Sequence, residues 1–338
     1  MALALDLILI SLNIIGVPHQ SAKSELLQVR RIWDKAPHNA FTDLAFFEGR
    51  WYCTFRETRS HASYGDDGNI RVITSPDSEA WTSAAYFPSP ITELPDLRDP
   101  KLVVTSDNRL MLNSVAALLK PAKIRHQSLA WFSSDGKDWS EPVKIGEPNI
   151  WIWRVSWYKG MAYGVGYTQA GSKPRDEKRF TRFYRSSDGV NFETVVGTLR
   201  QADYPNRVSE TRLIFLDDDT CLCLLRRDGE DNTAQLGTAK PPYKEWDWKD
   251  LGVQLGGPNM IRLPDGRFVV AGRVYNDGPR TALLWLDPES GTLTEFLKLP
   301  SGGDTSYPGM VLHDGLLWMS YYSSHEGKTS IYLAKIRL

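Results

Sequence analysis

The stretch Ser133-Ser134-Asp135-Gly136-Lys137-Asp138-Trp139 has two partial copies in the chain. One is Ser75-Pro76-Asp77-Ser78-Glu79-Ala80-Trp81, starting 58 residues upstream, and the other is Ser186-Ser187-Asp188-Gly189-Val190-Asn191-Phe192, starting 53 residues downstream. Each reads as a self-contained turn. The Asp carboxylate accepts backbone N–H bonds, the Gly takes the left-handed conformation and the aromatic side chain tucks beneath. The first copy lacks the Gly and the third ends in Phe. Self-similarity at a fixed period of this size marks a repeat fold.

A second repeat runs through the whole chain. Six short turns begin at residues 48, 107, 159, 218, 265 and 314, so successive units are 59, 52, 59, 47 and 49 residues long. They are Glu48-Gly49-Arg50, Asp107-Asn108-Arg109, Lys159-Gly160-Met161, Asp218-Asp219-Thr220, Asp265-Gly266-Arg267 and Asp314-Gly315-Leu316. Gly, Asn and Asp supply the positive φ of tight hairpins. Apolar runs flank each turn, such as Leu44 to Phe47 before the first and Trp51 to Phe55 after it. Six units with four short strands each predict an all-β, six-bladed β-propeller, and a tandem β-sandwich is the competing architecture. The last unit, Tyr307 to Leu338, is one strand short, while Leu26 to Trp33 is a spare strand. The N-terminal strand is therefore expected to complete the last blade and close the ring, removing exposed sheet edges.

Composition narrows the function. A net charge of −1 and an ordinary apolar content exclude a polybasic nucleic-acid surface and a disordered chain. The 12 Trp and 14 Tyr suit sheet packing, and aromatic faces also suit sugars. Cys53, Cys221 and Cys223 lie in apolar alternating runs and read as buried small residues, too few for a disulfide framework and without zinc spacing. No cofactor is expected. Met1 to Val17 is almost wholly apolar and reads as the core of a secretory signal with processing near Ser21 to Lys23. This gives a signal-like segment at 1–22, one propeller domain at 23–338, and a secreted or periplasmic protein. Asp6 interrupts the run and no Lys or Arg precedes it, so a misassigned start on a cytoplasmic protein is the alternative. The run is short for a membrane span and no second one follows.

In a propeller, innermost-strand starts and second-strand ends meet at one mouth of the central channel. Those positions here are rich in charge: Arg98, Asp99, Arg154, Glu210 and Asp304 at the starts, and Arg56, Arg226, Arg227, Asp228 and Arg273 at the ends. Charges brought together must pair or bind a ligand. An arginine fork matches a carboxylate bidentately.

The three turns around residues 77, 135 and 188 resemble the Asp-box of sialidases, and the charged positions resemble that family's site. The resemblance implies a glycoside hydrolase acting at the chain end of an acidic sugar, with Tyr307 as nucleophile and Glu210 as its base. It implies a carboxylate held by Arg226 and Arg273, with Arg227 beside them, Glu326 steadying an arginine, and Arg98 and Asp99 at the opening of blade two. Blade one departs from the family's Arg-Ile-Pro, reading His38-Asn39-Ala40-Phe41-Thr42-Asp43, which leaves Arg56 as that blade's arginine. The proton donor is expected within residues 61–67, from Asp66, Asp67 or His61. A tyrosine nucleophile is a known variant of the two-carboxylate scheme. The expected partner is an anionic carbohydrate. Two other functions stay open, a lectin-like propeller without catalysis and a uronate lyase using Tyr and His. His38, His61 and His325 make a metal site only if the fold gathers them; otherwise no metal is expected.

Overall fold

Apolar runs bounded by Gly, Asn and Asp turns become strands because alternate side chains enter the core while the turns reverse the chain. The computed structural model describes residues 24–62, 65, 67–169 and 179–338, and these form six four-stranded antiparallel sheets and no helix. The signal-like segment 1–22 and Asp66 lie outside the described residues. The sheets are the blades of a six-bladed β-propeller. Their innermost strands are His38–Phe47, Asp96–Val104, Ile150–Tyr158, Arg207–Phe215, Gly256–Arg262 and Thr305–His313, blades one to six in order. Each of the six short turns joins an innermost strand to the second strand of its blade. In blade six the strand Ser330–Arg337 pairs with Glu25–Trp33, for example Val29 opposite Ala334, so the N-terminal strand closes the ring. No helix of the described residues is long and apolar enough to cross a membrane.

The repeated Asp turns form as the residue types require. Asp135 Oδ1 accepts the N–H groups of Lys137 and Asp138 at 2.8 and 2.9 Å, and Asp188 Oδ1 accepts those of Val190 and Asn191 at 2.8 Å. Ser78 takes the left-handed conformation, φ 67°, where the first copy has no Gly. The free cysteines Cys53, Cys221 and Cys223 are buried.

One irregularity recurs in every blade. Two residues of the innermost strand face one residue of the second strand, because pairing resumes after a one-residue slip. The bulged pairs are Phe41-Thr42, Asp99-Pro100, Trp153-Arg154, Ser209-Glu210, Gly257-Pro258 and Tyr307-Pro308. Phe41, Asp99, Gly257 and Tyr307 have φ of 63, 50, 59 and 45°. A bulge bends the strand and re-aims a side chain. Left-handed φ on a non-glycine residue costs about 1–3 kcal/mol, which the surrounding ring must offset. At the channel mouth, Phe41, Asp99 and Tyr307 carry this strain inside strands rather than in turns.

Candidate functional site at the channel mouth

A cavity of about 420 Å³ opens at that mouth, within the roughly 300–1,000 Å³ range of small-ligand sites. Bulge residues form its floor: Phe41, Asp99, Glu210 and Tyr307 all line it. Tyr307 donates its hydroxyl to Glu210 Oε1 at 2.5 Å. Arg226 Nη1 donates to both Glu210 oxygens at 2.8 Å and to the Tyr307 oxygen at 3.0 Å. The Gly257 N–H donates to Glu210 Oε2 at 2.8 Å. Gly257 has a steric role as well, since a Cβ there would stand 2.1 Å from Tyr307 Cδ1. Burial, and then the Glu210 charge, push the Tyr307 hydroxyl well above its ordinary value. It is a neutral phenol that needs a base, and Glu210 is in contact with it.

Asp99 borders the same cavity. It is 7% exposed and its Oδ1 has no hydrogen-bond partner among the described residues. Burial raises its pKa, against the pull of Arg98 and Lys101 and with the repulsion of Glu210. Beneath the floor, Lys101 Nζ lies 4.5 Å from the Trp153 ring centre and 5.7 Å from that of Tyr307. Burial, followed by the Arg154 charge, pushes this lysine down to about 8. Arg154 forks onto Asp43 at 2.7 and 3.1 Å.

The structure separates the expected arginines. Arg226 and Arg98 reach the cavity, while Arg56, Arg227 and Arg273 do not line it. Arg56 is fully buried, bonded to Asp96 Oδ1 through Nε and Nη2 and to the Ser60 and His61 carbonyls. It braces the segment after the second strand of blade one and cannot meet a ligand. Arg227 points from the other face of its strand to Thr233 and Asp250. Arg273 donates to the Thr305 carbonyl and the Tyr322 hydroxyl and lies 3.5 Å from Asp304. Glu326 bonds the Tyr332 hydroxyl and Arg31, so it steadies no cavity arginine.

The histidines are gathered only in part. His61 lines the cavity, and its Nδ1 contacts Asp304 Oδ2 at 2.7 Å. His38 Nε2 reaches the same oxygen at 2.8 Å. These three residues place one ligating atom each within 4.8 Å of one another. Burial pushes the Asp304 carboxyl up, but the two imidazoles outweigh it and hold the carboxyl well below the usual range. His325 is elsewhere, bonded to Ser323 and packed on Tyr332. Asp67 is exposed and lines a neighbouring cavity with Glu93 rather than the central one.

Sequence reasoning missed one wall. Arg125, His126, Arg179 and Arg207 line the cavity, with Trp151 and Tyr167 stacked 5.8 Å apart. Arg179 and His126 begin third strands. A third strand starts at the face where the second ends, so its first residues belong to the same mouth; that was the available signal.

Fold and cavity together define a six-bladed propeller with a tyrosine–glutamate–arginine cluster at the hub. No family model matches the chain, and no curated protein is significantly similar to it. Solved structures resemble it in fold. A Dyadobacter fermentans protein of unknown function superposes with a TM-score of 0.80 at 18% identity, covering 94% of this chain and 100% of that one. An α-L-arabinanase of Penicillium chrysogenum, complexed with arabinobiose, gives 0.69 at 14% identity, over 91% and 98%. The Trypanosoma rangeli sialidase gives 0.66 at 13% identity, over 89% of this chain and 55% of that one.

Proposed function

We propose that this protein is a retaining glycoside hydrolase acting at the chain end of an acidic sugar. The observation that carries the reading is the 2.5 Å contact between Tyr307 and Glu210 on the floor of a cavity that Asp99 also borders. The resemblance of the fold to an arabinanase and a sialidase supports a sugar as ligand.

In this mechanism Tyr307 attacks the anomeric carbon while Glu210 takes its proton, and Asp99 gives its proton to the departing glycosidic oxygen. The result is a glycosyl–tyrosine. Water then attacks the anomeric carbon, Asp99 takes the water's proton, and Glu210 returns a proton to Tyr307. A phenol suits a substrate whose own carboxylate would repel an anionic nucleophile. Asp99 takes the donor role expected of residues 61–67 because it is a buried carboxyl with a raised pKa beside the nucleophile. His61, held through Asp304, stands at the mouth. Neither His61 nor His325 hydrogen-bonds Tyr307. That favours hydrolysis over elimination by a Tyr–His pair.

The test is a screen of acidic oligosaccharides for released sugar, with wild type, Tyr307→Phe and Glu210→Gln. Both variants are expected to lose about a hundredfold or more in kcat with unchanged circular dichroism. Full activity in Tyr307→Phe removes the nucleophile. Sugar binding without release in wild type favours the lectin-like function.

A further inference from the structure

Where the ring closes, the first and last blades bring three metal-ligating side chains together. His38 opens the innermost strand of blade one, His61 follows the second strand of that blade, and Asp304 stands just before the innermost strand of blade six. Asp304 Oδ2 lies 2.8 Å from His38 Nε2 and 2.7 Å from His61 Nδ1. The backbone that carries these groups is held in place. Arg98 and the buried Arg56 donate to the His61 carbonyl at 3.2 and 3.3 Å. The Asp304 N–H donates to Ser324 Oγ at 2.9 Å. The other carboxylate oxygen, Asp304 Oδ1, accepts from the Tyr322 hydroxyl at 3.2 Å and has Arg273 at 3.5 Å. One oxygen is thus fixed from outside while the other faces two imidazoles, as outer partners orient a carboxylate that ligates a metal. Among the described residues neither imidazole has a hydrogen-bond partner other than Asp304.

We infer that His38 Nε2, His61 Nδ1 and Asp304 Oδ2, which lie within 4.8 Å of one another, form a zinc site that staples blade one to blade six. Its fourth position is turned toward the central cavity, which His61 lines. Two imidazoles and one carboxylate are a donor set for zinc with one position left to water or a ligand oxygen. Calcium and magnesium take oxygen donors, and the Arg273 charge beside the single carboxylate disfavours them further. Zinc bonds of about 2.0–2.1 Å in a tetrahedron set the ligand atoms about 3.3 Å apart. Each imidazole nitrogen therefore moves about half an ångström from Asp304 as the ion enters. His61, with its side chain 48% exposed, has that freedom, while His38 is buried. Phe41 packs against both His61 and Tyr307, with ring centres 5.1 and 5.2 Å away. No group of the Tyr307–Glu210 chemistry is a ligand, so the site goes beyond the hydrolase proposal and does not depend on it.

The experiment is a calorimetric titration of the full chain, freed of metal with EDTA, with zinc chloride and separately with calcium chloride. Wild type, His61→Ala, Asp304→Asn and His325→Ala are compared. Wild type is expected to bind one zinc ion and no calcium. His61→Ala and Asp304→Asn should each weaken zinc binding about a hundredfold or more; His325→Ala should leave it unchanged. An ion held between two blades binds only the folded chain, so zinc should raise the melting temperature of wild type and of His325→Ala but not that of His61→Ala. His61 is half-exposed, and a circular dichroism spectrum and a melt in EDTA that match wild type show that its removal leaves the fold intact. That variant decides the matter if Asp304→Asn does not fold. Failure of zinc to bind wild type, binding of calcium in its place, equal zinc binding by wild type and His61→Ala, or loss in His325→Ala alone overturns the site.

Discussion

Asp99 and Glu210 are both buried carboxyl residues of the cavity floor, and their surroundings give them opposite uses. Glu210 accepts from Tyr307, from Arg226 and from a backbone N–H, so its negative charge is supported on all sides. Asp99 has an oxygen with no partner, and burial raises its pKa. A raised carboxyl binds its proton more tightly in the folded chain than in the unfolded one. Stability is therefore complete below the ordinary aspartate value, about 3.9, and falls as pH rises from there through the folded-state pKa. Asp99→Asn removes that penalty. The variant should melt at a higher temperature than wild type at neutral pH, with the gap closing below about pH 4, and should lose about a hundredfold in kcat. Thermal melts across pH check the first half; no gain in melting temperature at neutral pH contradicts the buried, unpartnered carboxyl. The same logic of environment over identity removes Arg56 from the ligand site, because a fully buried guanidinium that grips Asp96 is a brace.

Among elements, the inner-strand bulge is the device that builds the site. Pro100, Pro258 and Pro308 occupy the second bulge position in three blades, where no ladder N–H is required. Proline inside an apolar strand was thus a legible sign of the bulges. The innermost strand of the neighbouring blade five leaves room for the re-aimed ring only because residue 257 has no Cβ. Gly257→Ala would bring a methyl group within 2.1 Å of Tyr307 Cδ1 at φ +59°, so the tyrosine must move. We expect kcat to fall at least about tenfold. Gly266→Ala is the control: its φ is +90° but it meets nothing within 4 Å. It should lower stability by about 1–2 kcal/mol and leave kcat unchanged. Equal kinetics in the two variants would show that Gly257 serves only its backbone.

For the whole molecule, closure by the N-terminal strand keeps six blades in register around the channel. Glu25–Trp33 covers the edge of Ser330–Arg337, and Trp33 Nε1 donates to Glu57 in blade one at 2.7 Å. The strand thus ties the last blade to the first. Asn39 adds a second tie, its N–H bonding the Thr329 carbonyl at 3.1 Å. A chain lacking residues 24–33 exposes an unpaired edge in blade six. Calorimetry should show a lower and less cooperative melt than that of the longer chain, and size-exclusion chromatography should show association. A truncated chain that melts at the same temperature as a monomer would mean the ring does not depend on this closure.

Turn chemistry and strand period are local, so the blade count, the hairpins at Gly49 to Gly315 and the ring closure could be read along the chain. So could Tyr307, Glu210 and Arg226, because each stands at a strand position that the repeat carries to the hub. The directions and partners of side chains are not local. Whether an arginine faces a ligand or a neighbouring acid depends on residues more than a hundred positions away, as Arg154 and Asp43, 111 apart, show. That is why Arg227, Arg273 and Glu326 proved to be engaged elsewhere, and why the arginine wall around His126 emerged only when the blades were brought together. Charge finds its partner in three dimensions, and only the folded ring sets which charges are neighbours.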